Sequence, residues 1–335
     1  MKDVAQAIGV SPSAVSLALR NHPRISEARR KEIQNVAERI GYSPNAMAAS
    51  LAHHRHQSRL IPTAAVFAWI NAWPQPEKLR QLPQFEAYWQ GASKAAQKFG
   101  YRLDEFIVNK QTPLSKIEKI LRARNINGIL IPPHAAMEVP WSELNWNLFS
   151  VVRFGLTARK LPSFHAVTAD QSGNAYLAFM KMKEKGYQRI GFAGVIEKEW
   201  RGLAGFTQAQ LNIPENQRVP PLLHRFWEGP ENLDKASQWL KEHRPDAILI
   251  EHGQFFLQLK PLGLEAPRDF GLATTVLPDV PLDSGIDQNP EEIGRVAILV
   301  LLSQIRDNAR GVPPLFRQTL IEGTWKEGPS LPTVC

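Results

Sequence analysis

Cysteine is all but missing: the only one, Cys335, is the final residue. A lone thiol makes no internal disulfide and no cysteine-based metal site, so a reducing compartment is expected. No apolar run approaches the roughly 20 residues that cross a bilayer. The opening stretch MKDVAQAIG is amphipathic and lacks the apolar core of a signal peptide, so a cytoplasmic protein is expected. Also missing are GxSxG, HExxH and the phosphate-binding GxxxxGK(S/T). An enzyme reading is left with scattered Asp, His and Arg, the ordinary content of a chain this long. There is no low-complexity tract and no short-period repeat.

What is present suits a globular protein of two or three domains. The chain has 335 residues, 43% of them apolar and 21% charged. Its net charge is +8, and that charge is uneven. Residues 1–59 hold nine Lys/Arg against four Asp/Glu, a net +5, which leaves +3 for all the rest. The basic character therefore belongs to the N-terminus and points to an anionic partner there.

Three short helices are read in the first 41 residues. The first spans roughly Lys2–Ile8, with Val4, Ala5 and Ile8 inward, and Gly9 turns the chain. The second lies in VSPSAVSLALRNHP, where Ser11 is a candidate N-cap and Pro12 suits the first helical turn. On a wheel, Val15, Ala18 and Leu19 share one side, with Ala14 at its edge. Ser13, Ser16 and Arg20 share the other, and Leu17 stands in their midst. Ser26 caps a third helix to about Ile40, with Ile33, Val36, Ala37 and Ile40 at inward spacing. Two helices joined by a glycine turn and backed by a third form a helix-turn-helix pattern. Ser13 and Ser16 then suit base edges or phosphates, and Arg20 a phosphate or guanine.

YSPNAMAASLAHHRH follows, with Ser43–Pro44 opening another short helix that is marginal in water unless packed on something. His53, His54 and His56 read as a solvated or phosphate-facing helix end rather than a metal site, since no carboxylate or cysteine stands near. QSRLIPT reads as a linker. From about Thr63, apolar runs (AAVFAWI, GILIPP, LFSVVRFG, AVTAD, RIGFAGV, DAILIEHG, DFGLATTV, TLIEGTW) alternate with amphipathic helices. That rhythm predicts α/β units with buried parallel sheets, and eight or nine strands predict two doubly wound lobes. Ligands are expected beyond the carboxyl ends of the strands. The candidates there are Trp69, Trp73, His134, Arg153, Asp170, Trp200, Arg201 and His252. Aromatic faces with a few polar groups suit a small molecule such as a sugar.

KDVAQAIGVSPSAVSLALRN, followed by RRKEIQNVAERIGYSPNAMAASLA, resembles the N-terminal signature of the lac repressor/galactose repressor family of bacterial transcription regulators. The rest is similar in order of elements to that family's periplasmic-binding-protein-like effector domain. DAILIEHG, DFGLA and GIDQNPEEIGRVAILVLLSQI fall at comparable places. The resemblance implies a helix-turn-helix domain over 1–43, a hinge helix and linker over 44–62, and an effector and dimerisation domain over 63–335. Its N-lobe is expected at about 63–157 plus 285–310 and its C-lobe at about 158–284 plus 311–335. It implies a homodimeric repressor on a palindromic operator, with no cofactor, metal or membrane, and with a sugar or sugar derivative as effector. Ser11, Pro12, Ser13, Ser16, Leu17, Arg20, Asn21 and His22 would meet DNA from the helix-turn-helix. Asn45, Ala48, Leu51, Ala52 and Arg55 would do so from the hinge helix Pro44–Arg55, with Leu51 wedged into the minor groove.

The chain departs from the family in places. Leu17 stands where Arg is frequent, Gly202 where the sugar-binding Arg falls, His252–Gly253 where Asn-Asp is frequent, and Thr274–Val276 where an acid is frequent. The Thr or Ser that usually caps the first helix would precede Met1, so the natural start is expected a few residues upstream. Two alternatives keep distinct signatures. A solute-binding protein without DNA function predicts an export signal, and a sugar-metabolising enzyme predicts a catalytic constellation.

Overall fold

The computed structural model describes residues 2–19, 25–40, 65–133, 139–156, 161–195, 200–224, 230–277 and 279–334. A few side chains within these spans, those of Ser16 and Trp200 among them, lie outside the description. The chain divides into two units, Met1–Ala64 and Ala65–Cys335.

The first unit contains α1 (Lys2–Ile8), α2 (Pro12–Leu19) and α3 (Glu27–Arg39). Gly9, at φ +67°, ends α1 in the left-handed region, where a side chain would be strained. The Val10 N–H then donates to the Ala5 carbonyl at 3.0 Å, which closes a Schellman-type end. Val4 and Ala5 of α1, Val15 and Ala18 of α2, and Ile33 and Ala37 of α3 form the core. These pairs sit one, three or four residues apart in sequence, and the helical repeat turns each toward the centre. Gln34 Nε2 adds a tie to the Ala18 carbonyl at 3.3 Å. Ile40, expected inward, is 45% exposed, because α3 ends at Arg39 and the next residue leaves the helical stripe.

The second unit has two lobes. In chain order its elements are β1 (Ala65–Asn71), α4 (Pro76–Leu79), α5 (Pro83–Lys98), β2 (Tyr101–Ile107), α6 (Leu114–Ala123), β3 (Gly128–Ile131), β4 (Ser150–Phe154) and β5 (His165–Ala169). There follow α7 (Gln171–Glu184), β6 (Ile190–Val195), α8 (Trp200–Gln210), β7 (Leu222–His224), α9 (Pro230–His243), β8 (Ala247–Ile250) and α10 (Gly253–Leu259). The last are β9 (Gly271–Leu277), β10 (Gly285–Asp287), α11 (Pro290–Arg306), β11 (Gln318–Ile321) and β12 (Thr324–Lys326). One sheet runs β11-β5-β4-β3-β1-β2 and the other β12-β10-β9-β8-β6-β7. All pairs are parallel except β10 with β12. Each sheet is packed on both faces, as parallel sheets require. Along β1, Phe67 and Trp69 pack toward α5 and α11, while Ala68 and Ile70 pack toward α6 and the Trp141–Trp146 pair. In the second lobe Phe192 packs toward α7 and α8, and Ala193 toward α9 and α10.

The expected lobe boundaries need correction. β5 pairs with β4 and so belongs to the first lobe, not the second. β10 pairs with β9, in the second lobe, not the first. TLIEGTW reads as one strand, yet Glu322–Gly323 carries the chain across, with β11 on the first sheet and β12 on the second. The chain thus changes sheets at Asp170, at Gln288–Asn289 and at Glu322–Gly323. Each crossing falls at polar residues that read like any loop, and only strand pairing decides which sheet the next strand joins, which is why they are silent in sequence. β2 went unread for the opposite reason. Its YRLDEFI is an edge strand rich in charge, with Asp104 bridging Arg102 and Arg124.

Candidate DNA-facing helix and interlobe cleft

The cap of α2 is built as its sequence implies: the Ala14 N–H donates to Ser11 Oγ at 3.2 Å. The Ser11 and Ser13 hydroxyls hydrogen-bond at 2.8 Å, and both residues are exposed with Pro12 between them. Val15 and Ala18 are buried, and Leu19 packs against the same core. Leu17 is half-buried and stands outside that core, on the open side of the helix. The backbone of Ser16 is helical. Arg20, Asn21, His22, Asn45, Ala48, Leu51, Ala52 and Arg55 lie outside the described residues, as do His53, His54 and His56. Among the described residues no group of three His, Cys, Asp or Glu is placed to hold a metal. No described helix is long and apolar enough to cross a membrane.

In the larger unit the cleft candidates separate into different roles. Trp69 is fully buried in the first-lobe core, edge-on to Trp89 and tilted against Phe154, with ring centroids 5.4 and 5.3 Å away. It is a packing residue, because strand alternation turns it inward at that register. The Trp73 indole N–H donates to the Pro133 carbonyl at 2.7 Å, which ties the loop after β1 to the loop after β3. Asp170 caps α7, accepting from the Gly173 N–H at 2.9 Å. His252 is the half-buried N-cap residue of α10. Trp200 opens α8, and His134 lies outside the described residues. Arg153, near the end of β4, is 9% exposed, and Arg201 is half-buried in the first turn of α8. Burial, and after it the charge of Arg201, push the Arg153 guanidinium below its ordinary range. Arg153 stands near the carboxyl end of a first-lobe strand and Arg201 just beyond the carboxyl end of β6 in the second lobe, close enough for their charges to act on one another.

Sequence reasoning missed a set of glutamines joining the lobes. Gln84, at the start of α5, donates through its side chain to Gln288 Oε1 at 2.7 Å, and its backbone N–H donates to Asp279 Oδ1 at 3.1 Å. Gln288 Nε2 donates to Gln171 Oε1 at 3.1 Å and to the Thr275 carbonyl at 2.8 Å. Gln84 and Gln288 are buried. Nothing in sequence marks a glutamine for burial, since its usual place is the surface. Such a network holds two lobes in one relative position and is rearranged when they move. Gly202 acquires a reason too. A Cβ there would meet Glu251 Oε1 at 1.6 Å, so the buried carboxylate fills the place into which a side chain would project.

Residues 1–45 match the family model "Bacterial regulatory proteins, lacI family". The N-terminal segment is similar to that family's DNA-binding segment over those residues. Among solved structures, the larger part of the molecule has the fold of lacI-type effector domains. A cellobiose complex of the transcriptional regulator CelR is 18% identical, with a TM-score of 0.58, and 98% of each chain is covered. A LacI family transcriptional regulator from Enterococcus faecium with bound ribose is 15% identical, with a TM-score of 0.54, covering 81% of this chain and 100% of that one. A periplasmic binding protein/LacI transcriptional regulator from Alkaliphilus metalliredigens QYMF, complexed with D-xylulofuranose, is 16% identical with a TM-score of 0.53, covering 80% and 99%. At these identities the likeness is one of fold. No curated protein matches the chain by sequence.

Proposed function

We propose that this chain is a dimeric, sequence-specific DNA-binding transcription regulator of the cytoplasm, acting as a repressor under control of a small carbohydrate-like effector. The observation that carries the reading is α2. It is a capped helix of the lacI-family segment, packed by Val15 and Ala18, with Ser13 exposed and Leu17 left on its open side. A half-buried leucine away from the core is costly on a wet surface and useful on one that dries when bound. Leu17 packs on a thymine methyl where an arginine would select guanine. The fold likeness to proteins solved with cellobiose, ribose and D-xylulofuranose supports a carbohydrate-like effector between the lobes.

In this mechanism the hinge helices over Pro44–Arg55 fold on a palindromic operator, pair across its dyad and insert Leu51 into the minor groove. The effector changes the angle between lobes, rearranging the Gln84–Gln288–Gln171 contacts. That movement separates the hinge helices and shifts operator affinity. The shift equals the effector's differential affinity for the two states, reciprocally for DNA and effector. Fluorescence anisotropy with a library of palindromes tests the reading. Binding confined to a subset of palindromes and weakening steeply with salt is expected. Salt-insensitive binding, or equal binding to all sequences, overturns it. Leu17→Arg is expected to change which palindrome is preferred while leaving the helical content intact, read by the same library and by circular dichroism. An unchanged ranking means that Leu17 reads no base.

A further inference from the structure

Arg153 and Arg201 are like charges with no ion pair of their own among the described residues. Arg153 Nε and Arg201 Nε and Nη1 are buried and make no hydrogen bond. Among the described residues neither arginine takes part in an ion pair, and the one charged group acting on Arg153 is another cation. Arg153 has the Phe316 ring 5.8 Å from its guanidinium carbon, and Phe316 is itself partly open to solvent. A buried cation beside a half-buried one costs free energy unless something anionic neutralises them.

The surroundings favour that charge. Ser172 Oγ donates to the Arg201 carbonyl at 2.7 Å, drawing the starts of α7 and α8 together. Gly205 permits the approach, since a Cβ there would meet the Ser172 carbonyl at 2.0 Å. The N-terminus of α8, with its positive dipole end, thus carries Arg201 in its first turn, beside the start of α7, which Asp170 caps. The buried carboxylate at this end of the second sheet, Glu251, stands against Gly194 and Gly202. Glu197 and Glu199 precede Arg201 in sequence and lie outside the described residues.

We infer that the interlobe cleft takes an anionic effector, a small polyhydroxylated molecule whose phosphate or carboxylate is clamped between Arg153 of the first lobe and Arg201 of the second. The inference rests on the effector reading above and narrows its ligand class. Guanidinium groups suit both oxyanions because their fork of donors matches the oxygens in pairs. A charge bridging the lobes favours the closed arrangement, which gives an anion a direct means of changing the interlobe angle. Phe316 offers an aromatic face beside the anion for the rest of the molecule.

The test uses the full-length protein, with inorganic phosphate, glucose 6-phosphate, gluconate and glucose as probes and the thermal unfolding of the larger unit as readout. Glucose 6-phosphate or gluconate is expected to raise the midpoint well beyond glucose, and the two together separate a phosphate from a carboxylate. Arg153→Gln and Arg201→Gln are each expected to weaken the responding anion by about tenfold or more, as the loss of a charge-assisted pair implies. Without ligand and at low salt, Arg153→Met is expected to raise the midpoint, because one uncompensated cation is gone. Glucose stabilising as much as the anions overturns the inference and leaves the small-effector reading standing. So does anion affinity unchanged in Arg153→Gln. A ligand-free midpoint that falls in Arg153→Met shows the pair already neutralised within the protein and also overturns it. The effector reading fails on a different measurement, operator affinity unmoved by any of the probes.

Discussion

Among the described residues, six buried apolar side chains form the core of the three N-terminal helices, whereas each sheet of the larger unit is packed on both faces by separate clusters. In the small unit every buried residue is a large fraction of what holds it together, and three of the six are alanines. Small domains bury proportionally less surface and are correspondingly marginal. The larger unit has core to spare, so its weak points are polar: the glutamines across the lobes and the two unneutralised arginines. Under the proposed function, DNA contact falls on the part with the smaller core and effector contact on the part with the larger one.

The largest energetic test of that contrast is Phe206→Ala. Phe206 is fully buried, with ring centroids 4.9 Å from Phe192 and 5.6 Å from Phe179. Its truncation is expected to cost about 3–5 kcal/mol. The larger unit should still unfold cooperatively at a lower midpoint in calorimetry, with helix-turn-helix signals unchanged. Ile33→Ala, at about 2–5 kcal/mol, removes the largest side chain of the small core. Although no larger in energy, it is expected to unfold the N-terminal unit and abolish operator binding while the larger unit's transition stays in place. Operator binding that survives would show that the small unit holds more stability than its core accounts for.

Ser11→Ala sharpens the same point at lower cost. It removes the acceptor of the Ala14 N–H and is expected to destabilise α2 by about 1 kcal/mol. The loss should appear as a lower unfolding midpoint of the N-terminal unit without DNA, with the neutral cap of Ser11→Asn restoring it.

The smallest effect concerns pH. His165 is buried, and its Nδ1 accepts the Arg317 N–H at 3.1 Å where β11 joins β5. Burial, and then the Arg317 charge, hold the imidazole below its usual range, so the folded state keeps it neutral. A depressed folded value means that its contribution is whole above the ordinary histidine value of about 6.5 and is lost as pH falls through the folded one. The larger unit's unfolding midpoint is expected to decline across that acid window, and His165→Asn to flatten the decline.

Much of the DNA-facing part was legible because its determinants are local. Ser11 caps by reaching three residues ahead, Gly9 turns because it lacks a Cβ, and Val15 and Ala18 share a face by helical repeat. The cleft was legible only in outline. Position after a strand nominated Trp69 and Asp170 as readily as Arg153, yet Trp69 is core and Asp170 a helix cap. The glutamines carried no signal at all, because what buries Gln288 is the meeting of residues 84, 171 and 275, far away in sequence.

By itself, then, the sequence determined most of the element types, the two-unit division, the basic N-terminus and the helix carrying Leu17, since periodicity, capping and charge act over a few residues. Tertiary structure alone decided which strands share a sheet, where the chain crosses between lobes, that Glu251 fills the space beside Gly202, and that Arg153 is buried. Those outcomes depend on long-range packing. The side chains involved are charged or amide groups whose burial no local pattern encodes, and they are held there because strands distant in sequence bring their ends together.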